Sequence, residues 1–289
     1  MLLRILELGA GVLRRFGLGA LVDRVAVRSA PALGAFRVEI DGLQLRGNHI
    51  GQLYYVRELL NSDRERTFLN LLTSAVGRGA TVIEAGAHVG YVTLQAARAA
   101  GPEGRVITFE PNPLTAPLVL ENMAANGFED RVTVVQMALS DAVGRSTFHL
   151  SGGGDTSSLY QPDGADELVE VEVTSLDDWL DPSLLVDVVK LDIEGAEVAA
   201  VRGMVRTLER AGAGLVVFVE CNPAMLGRAG TSVDELVTLL RAQGLDPRWI
   251  DEERQTTGRI EDVDWAHGYR NLYCPRISAA HTPVGAGPR

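Results

Sequence analysis

The sequence is poor in cysteine and in aromatic residues. Its 289 residues include 2 cysteines, and aromatic residues make up 6% of the chain. Cys221 and Cys274 are too few for a disulfide framework, and neither belongs to a metal-type cluster with the 5 histidines. We therefore expect a reducing, cytoplasmic compartment, and few aromatic platforms on which nucleic-acid bases or planar polyaromatic compounds could stack.

Basic residues are outnumbered by acidic ones, 27 against 38, which gives a formal net charge of −11. A surface field of that sign repels nucleic acid and anionic lipid, so neither is an expected partner. No uncharged apolar run reaches the roughly 18 residues of a spanning helix, so stable membrane insertion is not expected. At 46% hydrophobic, however, the chain has enough apolar residues for a sizeable core, which excludes disorder as a description of the whole.

The first 25 residues predict an amphipathic helix, because charges such as Arg4, Glu7 and Arg15 interrupt the leucines at helical spacing. Such a helix docks on the rest of the domain, pairs with a second copy in a homo-oligomer, or touches a membrane surface transiently. The chain then divides into three predicted segments: the helix and a β-hairpin lead-in over 1–62, a catalytic domain over 63–277, and a disordered tail over 278–289.

Short apolar runs alternate with helical periodicity from residue 81 onward. This pattern predicts an α/β fold with a mainly parallel sheet and helices on both faces. Strands are expected at 81–84, 105–109, 132–138, 187–193 and 215–220, with a β-rich interruption at 146–174 and two closing strands near 245–250 and 271–274. Helices are expected at 63–76, 92–100, 114–126 and 196–209, and from Ser232 onward.

Ligands bind beyond the carboxyl ends of the strands in such a sheet, so the strand ends define the candidate site. The first strand ends at Glu84 and enters a turn that contains Gly86 and Gly90, where the backbone can approach a ligand closely. Glu110 ends the second strand and is placed to accept hydrogen bonds from both ribose hydroxyls. Because Glu84 would repel a pyrophosphate, a cationic nucleoside without phosphate, such as S-adenosylmethionine, fits this turn better than a dinucleotide.

A series of motifs shares its order and spacing with a known family. The motifs are Glu84-Ala-Gly-Ala-His-Val-Gly90, Phe109-Glu110-Pro-Asn-Pro113, Glu121-Asn122 with Asn126, Ala138-Leu-Ser-Asp141, Thr174-Ser-Leu-Asp177 and Lys190-Leu-Asp192-Ile-Glu194-Gly-Ala-Glu197. In this series, over roughly residues 45–275, the chain resembles the FkbM-type S-adenosylmethionine-dependent methyltransferases. The resemblance implies a class I methyltransferase fold, Rossmann-like with a seven-stranded, mostly parallel sheet, and O-methylation of sugars or other natural products.

The resemblance also implies which residues bind the cofactor, from its methionine end through the ribose to the adenine. They are Glu84, Gly86, His88 and Gly90, then Glu110 and Asn112, then Ala138, Ser140 and Asp141. The family usually has Asp where Glu84 stands and Asn where His88 stands. Glutamate keeps the charge on a longer side chain, whereas His88 either alters the cofactor contacts or reaches the substrate.

Asp192 and Glu220 end two successive strands and should face each other across the cleft, next to the expected methyl group. Two adjacent carboxylates allow two chemistries. One carboxylate acts as a general base toward an acceptor hydroxyl, or both bind a divalent cation such as Mg²⁺ that coordinates the hydroxyl oxygen. The general base is the preferred interpretation, and capping of the following helix is the structural alternative.

Lys190 and His267 complete the candidate catalytic residues. Lys190 lies two positions before Asp192 on the same side of its strand, and it either neutralises the carboxylates or meets an acidic substrate. His267, in a loop before the final strand, is a second candidate base, and the loop around Ser157 is predicted to lie over the cleft.

Taken together, the residues predict an S-adenosylmethionine-dependent O-methyltransferase. Its predicted acceptor is a hydroxyl of a sugar, a glycoside or another small polar metabolite. A nicotinamide-dependent oxidoreductase and a non-catalytic nucleoside-binding protein are the alternatives.

Overall fold

The computed structural model describes residues 36–49, 51–52, 55–56, 59, 65–150, 157–160, 167–266 and 268–277. The predicted N-terminal helix, the predicted tail over 278–289 and His267 lie outside these residues. The described part begins with an antiparallel hairpin of β1 (Phe36–Ile40) and β2 (Leu43–Gly47). Its two turn residues, Asp41 and Gly42, both have positive φ angles, as a tight type I′ turn requires.

The remaining elements alternate between helix and strand. In chain order they are α1 (Arg66–Ala75), β3 (Thr81–Ala85), α2 (Tyr91–Ala100), β4 (Arg105–Phe109), α3 (Ala116–Ala125), β5 (Val132–Val135), β6 (Ala138–Leu139), β7 (Gly144–Leu150), β8 (Glu167–Thr174), α4 (Leu176–Trp179), β9 (Val188–Leu191), α5 (Glu197–Arg202), α6 (Val205–Arg210), β10 (Val216–Cys221), α7 (Pro223–Arg228), α8 (Val233–Ala242), β11 (Arg248–Asp251), β12 (Thr256–Arg259), a 3₁₀ turn (Ile260–Asp262) and β13 (Arg270–Pro275).

The central sheet of the described chain has eight strands in the order β12-β11-β13-β10-β9-β3-β4-β5. β13 is antiparallel to both of its neighbours, and β12 is antiparallel to β11. The strands from β10 to β5 run parallel to one another. The predicted α/β fold with a mostly parallel sheet is therefore confirmed, and β12 adds an edge strand beyond the predicted seven.

Each face of the sheet has its own apolar core. On one face, residues such as Ile83 and Val189 pack against α5, α6 and α8. On the other face, their chain neighbours Val82 and Val188 pack against α1, α2 and α3. Because successive strand residues point to opposite faces, strands covered by helices on both sides are apolar throughout.

Three elements differ from the sequence-based expectation. The helix expected over 196–209 is two helices, α5 and α6, which meet at Gly203. There a Cβ atom would lie 1.9 Å from the carbonyl oxygen of Ser140, so the chain passes close to a neighbouring segment. The strand expected over 132–138 divides into β5 in the central sheet and β6 in a second, three-stranded sheet of order β6-β8-β7. Helix α7 was not expected.

The strand order places a cleft at β3. From β3 the chain continues to β4 and β5 on one side, whereas β9 and β10 lie on the other. The helix that follows β3 and the helix that follows β9 cover opposite faces. A crevice therefore opens at the carboxyl ends of these strands. None of the described helices is long and apolar enough to cross a membrane.

Candidate active site

The glycine turn after β3 is held against the loop that follows β9. Gly86 has a φ of +84°, and a Cβ atom at this position would lie 1.8 Å from the carbonyl oxygen of Asp192. Only glycine fits this contact without moving the backbone. Gly90, also at a φ of +84°, precedes α2, and His88 between them has a φ of 52°.

Both carboxylate oxygens of Glu110 are held by hydrogen bonds from the backbone. Its Oε2 accepts a hydrogen bond from the backbone N–H of His88 at 2.9 Å, and its Oε1 accepts one from the backbone N–H of Asn112 at 3.0 Å. Burial raises the pKa of this carboxyl above its usual value, although the two N–H groups counteract the rise. The Thr115 side chain is a further hydrogen-bond partner of Glu110, and because a carboxylate can accept up to four hydrogen bonds, Glu110 can still accept one from a ligand in the cleft that it lines.

The cleft is lined from the ends of β3, β4 and β9 and from the second sheet. Four residues expected to bind the cofactor are part of this lining: Gly86, His88, Glu110 and Ala138. The second sheet and the segment after it contribute Leu139, Phe148, Ser157 and Leu159. Of these, Leu139, within the segment 138–141 expected beside the adenine, and Ser157, expected over the cleft, were anticipated from the sequence. No sequence motif marks Phe148. It reaches the site because β7 pairs with β8.

The other residues expected at the cofactor are not part of the lining. Glu84 is buried in β3, where its Oε2 accepts a hydrogen bond from the Thr93 hydroxyl at 2.5 Å. Asn112 contributes its backbone amide to Glu110. The Ser140 hydroxyl donates to Asp141 at 3.3 Å, so these two residues contact each other. Gly90 packs under the turn. A Cβ atom at this position would lie 3.1 Å from the Met123 side chain and 3.2 Å from the Val119 side chain, both on α3.

Lys190 connects the turn after β3 to Asp192. Its Nζ donates to the carbonyl oxygen of Gly86 at 2.6 Å and lies 3.2 Å from Asp192 Oδ2 and 3.8 Å from Glu84 Oε1. Burial works against the positive charge, but the carboxylates of Asp192 and Glu84 outweigh it and raise the pKa of Lys190. Of the two roles considered for Lys190, these distances favour neutralisation of carboxylates.

The structure brings Asp192 and Glu220 together, as the strand ends predicted. Oxygens of Asp192, Glu194 and Glu220 all lie within 4.8 Å of one another. The Asp192 side chain is 42% exposed, whereas Glu220 Oε2 is buried and has no hydrogen-bond partner among the described residues. Burial raises the pKa of the Glu220 carboxyl well above its usual range, and the charges of Asp192 and Glu194 raise it further.

Glu194 and Glu197 shape the loop between β9 and α5. The Glu197 carboxylate accepts hydrogen bonds from the backbone N–H groups of Ile193 at 3.1 Å and Gly195 at 3.0 Å. Burial raises the pKa of Glu197 to about 7. The carbonyl oxygen of Glu194 accepts a hydrogen bond from the Ser158 hydroxyl at 2.6 Å. Glu197 therefore holds the loop before α5, which has no side-chain cap hydrogen bond, and Asp192 pairs with Lys190.

Two tyrosines and Glu65 approach the carboxylates from outside the motif series. Glu65 precedes α1 with a φ of 61°, and the Tyr269 hydroxyl lies 3.3 Å from its Oε1. The Tyr55 ring meets the His88 ring edge-on, with 4.8 Å between centroids. No sequence motif marks these residues, because tertiary packing alone places them.

Comparison with known proteins gives one family match and several partial relatives. The family model described as the Methyltransferase FkbM domain matches residues 84–246. The 2-O-methyltransferase NoeI of Sinorhizobium fredii is 33% identical over 38% of this chain and 51% of its own length. The catechol O-methyltransferase of Mycobacterium tuberculosis is 34% identical over 40% of this chain and 47% of its own. The chain thus spans about half the length of these curated relatives.

Among solved structures, a SAM-dependent O-methyltransferase from Thermotoga maritima aligns with 84% of this chain and 86% of its own, at 13% identity and a TM-score of 0.44. A score at that level supports no inference about function. The fold assignment therefore depends on the strand order described above.

Proposed function

This chain belongs to the Methyltransferase FkbM domain family, and we propose that it is an S-adenosylmethionine-dependent O-methyltransferase. Its proposed acceptor is a hydroxyl of a sugar, a glycoside or another small polar metabolite. The printed names of the two curated relatives, a 2-O-methyltransferase and a catechol O-methyltransferase, support oxygen as the methylated atom. The unpaired cysteines Cys221 and Cys274 support a cytoplasmic setting for this activity.

The residues of the cleft fit the proposed cofactor. Gly86 lines the cleft, and because it has no Cβ its turn can lie directly against the carbonyl of Asp192, so both loops border the proposed position of the methionine end. Glu110 lines the cleft with its carboxylate held by the backbone N–H groups of His88 and Asn112, and it is our proposed acceptor for the ribose hydroxyls. Ala138 and Leu139 line the cleft beyond Glu110 and offer an apolar surface to the adenine. When bound, S-adenosylmethionine supplies a methyl carbon that its sulfonium has already activated.

The observation that carries the proposal is the pairing of Glu220, a half-buried residue whose Oε2 is buried without a hydrogen-bond partner among the described residues, with an accessible carboxylate, Asp192, beside this turn. An alcohol has a pKa of about 15 and must lose its proton as the new bond forms. Glu220 is our proposed general base, because its raised pKa makes its carboxylate the stronger proton acceptor. Asp192 is held by Lys190 at 3.2 Å, so its role is to orient the acceptor hydroxyl and to keep Glu220 basic.

The proton balance follows from these roles. S-adenosylmethionine, held by the residues of the cleft, would supply the methyl carbon to the acceptor oxygen and would leave as S-adenosylhomocysteine once the bond from that carbon to sulfur is broken. Glu220 would accept the hydroxyl proton. Lys190 remains protonated throughout, because two carboxylates surround it.

A divalent cation such as Mg²⁺ is the alternative way to use these carboxylates. Asp192 and Glu220, with Glu194, offer the hard oxygen ligands that such an ion takes. A bound ion would acidify the acceptor hydroxyl and remove the need for a general base. Activity that survives EDTA treatment favours the base, whereas activity lost to EDTA and restored by Mg²⁺ favours the ion.

Isothermal titration tests the proposed cofactor class. We expect the protein to bind S-adenosylhomocysteine and not NADH. Binding of NADH without S-adenosylhomocysteine would instead identify a nicotinamide-dependent oxidoreductase. Binding of S-adenosylhomocysteine without methyl transfer to any hydroxyl acceptor would leave a nucleoside-binding protein.

A further inference from the structure

The loop between β9 and α5 has a strained backbone. Glu194 has a φ of 53° and Gly195 a φ of 103°, both in the left-handed region. A Cβ atom on Gly195 would lie 2.7 Å from the carbonyl oxygen of Met225, so the loop passes directly against α7. A residue such as glutamate stays in the left-handed region only where its surroundings hold it there, and such residues cluster at functional sites. What holds Glu194 in this conformation therefore bears on function.

Glu197 supplies contacts on both sides of Glu194. Its Oε1 accepts hydrogen bonds from the backbone N–H of Ile193 at 3.1 Å and from that of Gly195 at 3.2 Å, and its Oε2 accepts from the same Gly195 N–H at 3.0 Å. Glu197 is 1% exposed, so these bonds are shielded from water. The Ser158 hydroxyl donates to the carbonyl oxygen of Glu194 at 2.6 Å. Three consecutive residues of the loop are thereby held, and two of them are held by the Glu197 side chain.

The conformation of this loop decides where two of the three clustered carboxylates lie. Leu191 and Val219 are partners in the parallel pairing of β9 with β10, so Asp192 and Glu220 follow them at the same edge of the sheet. Glu194 comes two residues after Asp192, and an extended strand would carry it about 7 Å beyond that position. The left-handed turn instead brings one of its carboxylate oxygens within 4.8 Å of oxygens of Asp192 and Glu220.

Glu197 itself lies outside the cleft. The loop lines the cleft through Asp192, Ile193 and Glu194, whereas Glu197 is not part of the lining. Both of its carboxylate oxygens accept hydrogen bonds from backbone N–H groups. Any effect of Glu197 on a bound molecule therefore passes through the loop.

We infer that Glu197 is a positioning residue of the proposed methyl transfer, which holds Asp192 and Glu194 beside Glu220. The inference rests on the proposed function and adds to it the residue that sets the spacing of the carboxylates. The loop needs a hydrogen-bond acceptor at the position of Glu197 Oε1, because that oxygen accepts from both N–H groups. It does not need the negative charge, since a neutral carbonyl oxygen also accepts two hydrogen bonds.

Two substitutions separate the acceptor from the charge. Glu197→Gln keeps the length of the side chain and a carbonyl oxygen for the Oε1 position, but it has no charge. Glu197→Asp keeps the charge, but its carboxylate is one methylene group too short to reach the two N–H groups. We expect kcat to fall at least about tenfold in Glu197→Asp, because a misplacement of about 1 Å costs up to about 100-fold. Glu197→Gln should stay within about threefold of the wild type.

The readout is transfer of labelled methyl from S-adenosylmethionine to a panel of glycosides, with kcat and the acceptor KM determined separately. The loss in Glu197→Asp should fall on kcat. The acceptor KM and the affinity for S-adenosylhomocysteine should change less than about fivefold, since Glu197 touches neither molecule, whereas a general loss of structure would change all three. The matched controls are Glu209→Asp and Glu209→Gln, at an exposed position on α6, and both should leave kcat unchanged.

Hydrogen exchange of the loop amides tests the inference without turnover. In the protein bound to S-adenosylhomocysteine, the amides of Ile193 and Gly195 should exchange at least about tenfold faster in Glu197→Asp than in the wild type. In Glu197→Gln they should stay within about threefold. Gly195→Ala displaces the same loop independently, because its methyl group would meet the Met225 carbonyl, and it should also lower kcat at least about tenfold.

The outcomes separate this inference from the proposed function. Wild-type kcat and exchange in Glu197→Asp, or wild-type kcat in Gly195→Ala, would overturn the positioning role alone. A tenfold loss of kcat in Glu197→Gln would also overturn it, because the charge and not the acceptor would then matter. Absence of S-adenosylhomocysteine binding by the wild type overturns the proposed function itself.

Discussion

The carbonyl oxygen of Asp192 lies 1.8 Å from the point that a Cβ atom on Gly86 would occupy. This contact joins the glycine turn after β3 to the loop that carries Asp192. Lys190 strengthens the junction, because it donates to Gly86 and pairs with Asp192. In the proposed reaction, a single junction between β3 and β9 therefore positions both the cofactor and the acceptor.

The first prediction concerns Gly86→Ala. We expect a loss of at least about 2 kcal/mol of unfolding free energy, because the new methyl group meets backbone and the φ of +84° is strained for alanine. Denaturant unfolding followed by circular dichroism measures the loss. The control is Gly127→Ala, which has a φ of +69° but nothing within 4 Å of the added Cβ. An equal cost at the two positions would show that the contact with Asp192 is unimportant.

The second prediction concerns Glu110→Gln. Glutamine has an NH₂ group in place of one carboxylate oxygen. That NH₂ group faces the backbone N–H of His88 or of Asn112 and cannot accept its hydrogen bond. Affinity for S-adenosylhomocysteine should fall at least tenfold in isothermal titration. Glu103→Gln, at an exposed position, is the control and should bind as the wild type does. Unchanged affinity in Glu110→Gln would refute the ribose assignment.

The third prediction concerns the buried cation. Lys190→Met leaves Glu84, which is 2% exposed, without its ionic partner and should cost about 3 kcal/mol of unfolding free energy. The double variant Lys190→Met with Glu84→Gln removes the uncompensated charge and should recover most of that loss. Urea unfolding of the single and double variants separates the outcomes. A double variant as unstable as Lys190→Met would show that Lys190 acts through other contacts.

The fourth prediction concerns pH. Burial raises the pKa of Glu220 in the folded state above its value of 4.5 in the unfolded chain. Below that value the carboxyl is protonated in both states and has no effect on stability. As pH rises, the unfolded chain ionises first, so the wild type should lose up to about 1.4 kcal/mol per pH unit relative to Glu220→Gln until the folded pKa is reached. Thermal unfolding of both proteins from pH 4 to about 9 measures the difference. A constant difference across this range would contradict the raised pKa.

The fold and the central residues of the site follow from local sequence signals. A strand that ends in an acid followed by glycines marks the turn at Gly86, and two apolar strands that end in acids mark Asp192 and Glu220. These signals are readable because parallel strands deliver their carboxyl ends to one edge. Chain neighbours alone do not reveal which carboxylate Lys190 pairs with, since Glu84 comes from a different strand.

Other features depend on contacts that the sequence does not show. β12 consists of Thr256, Thr257, Gly258 and Arg259, so no apolar alternation marks it. β12 can pair with β11 because Gly258 has no side chain. A Cβ atom on Gly258 would lie 2.1 Å from the Trp249 ring, which packs against this position. Glu65 and Asn271 reach Glu220 only through the packing of α1 and β13 on β10. The acceptor side of the site is accordingly the part that tertiary structure adds.

Methyl transfer by Glu220→Gln tests the central claim most directly. The measurement is transfer of labelled methyl from S-adenosylmethionine to a panel of glycosides, with S-adenosylhomocysteine affinity determined on the same protein. The wild type should methylate a hydroxyl at a rate that rises with pH through the raised pKa of Glu220. Glu220→Gln should lose at least about 100-fold in kcat, since general-base catalysis contributes that much, while its cofactor affinity stays within a few-fold. Near-normal turnover in Glu220→Gln would contradict the account.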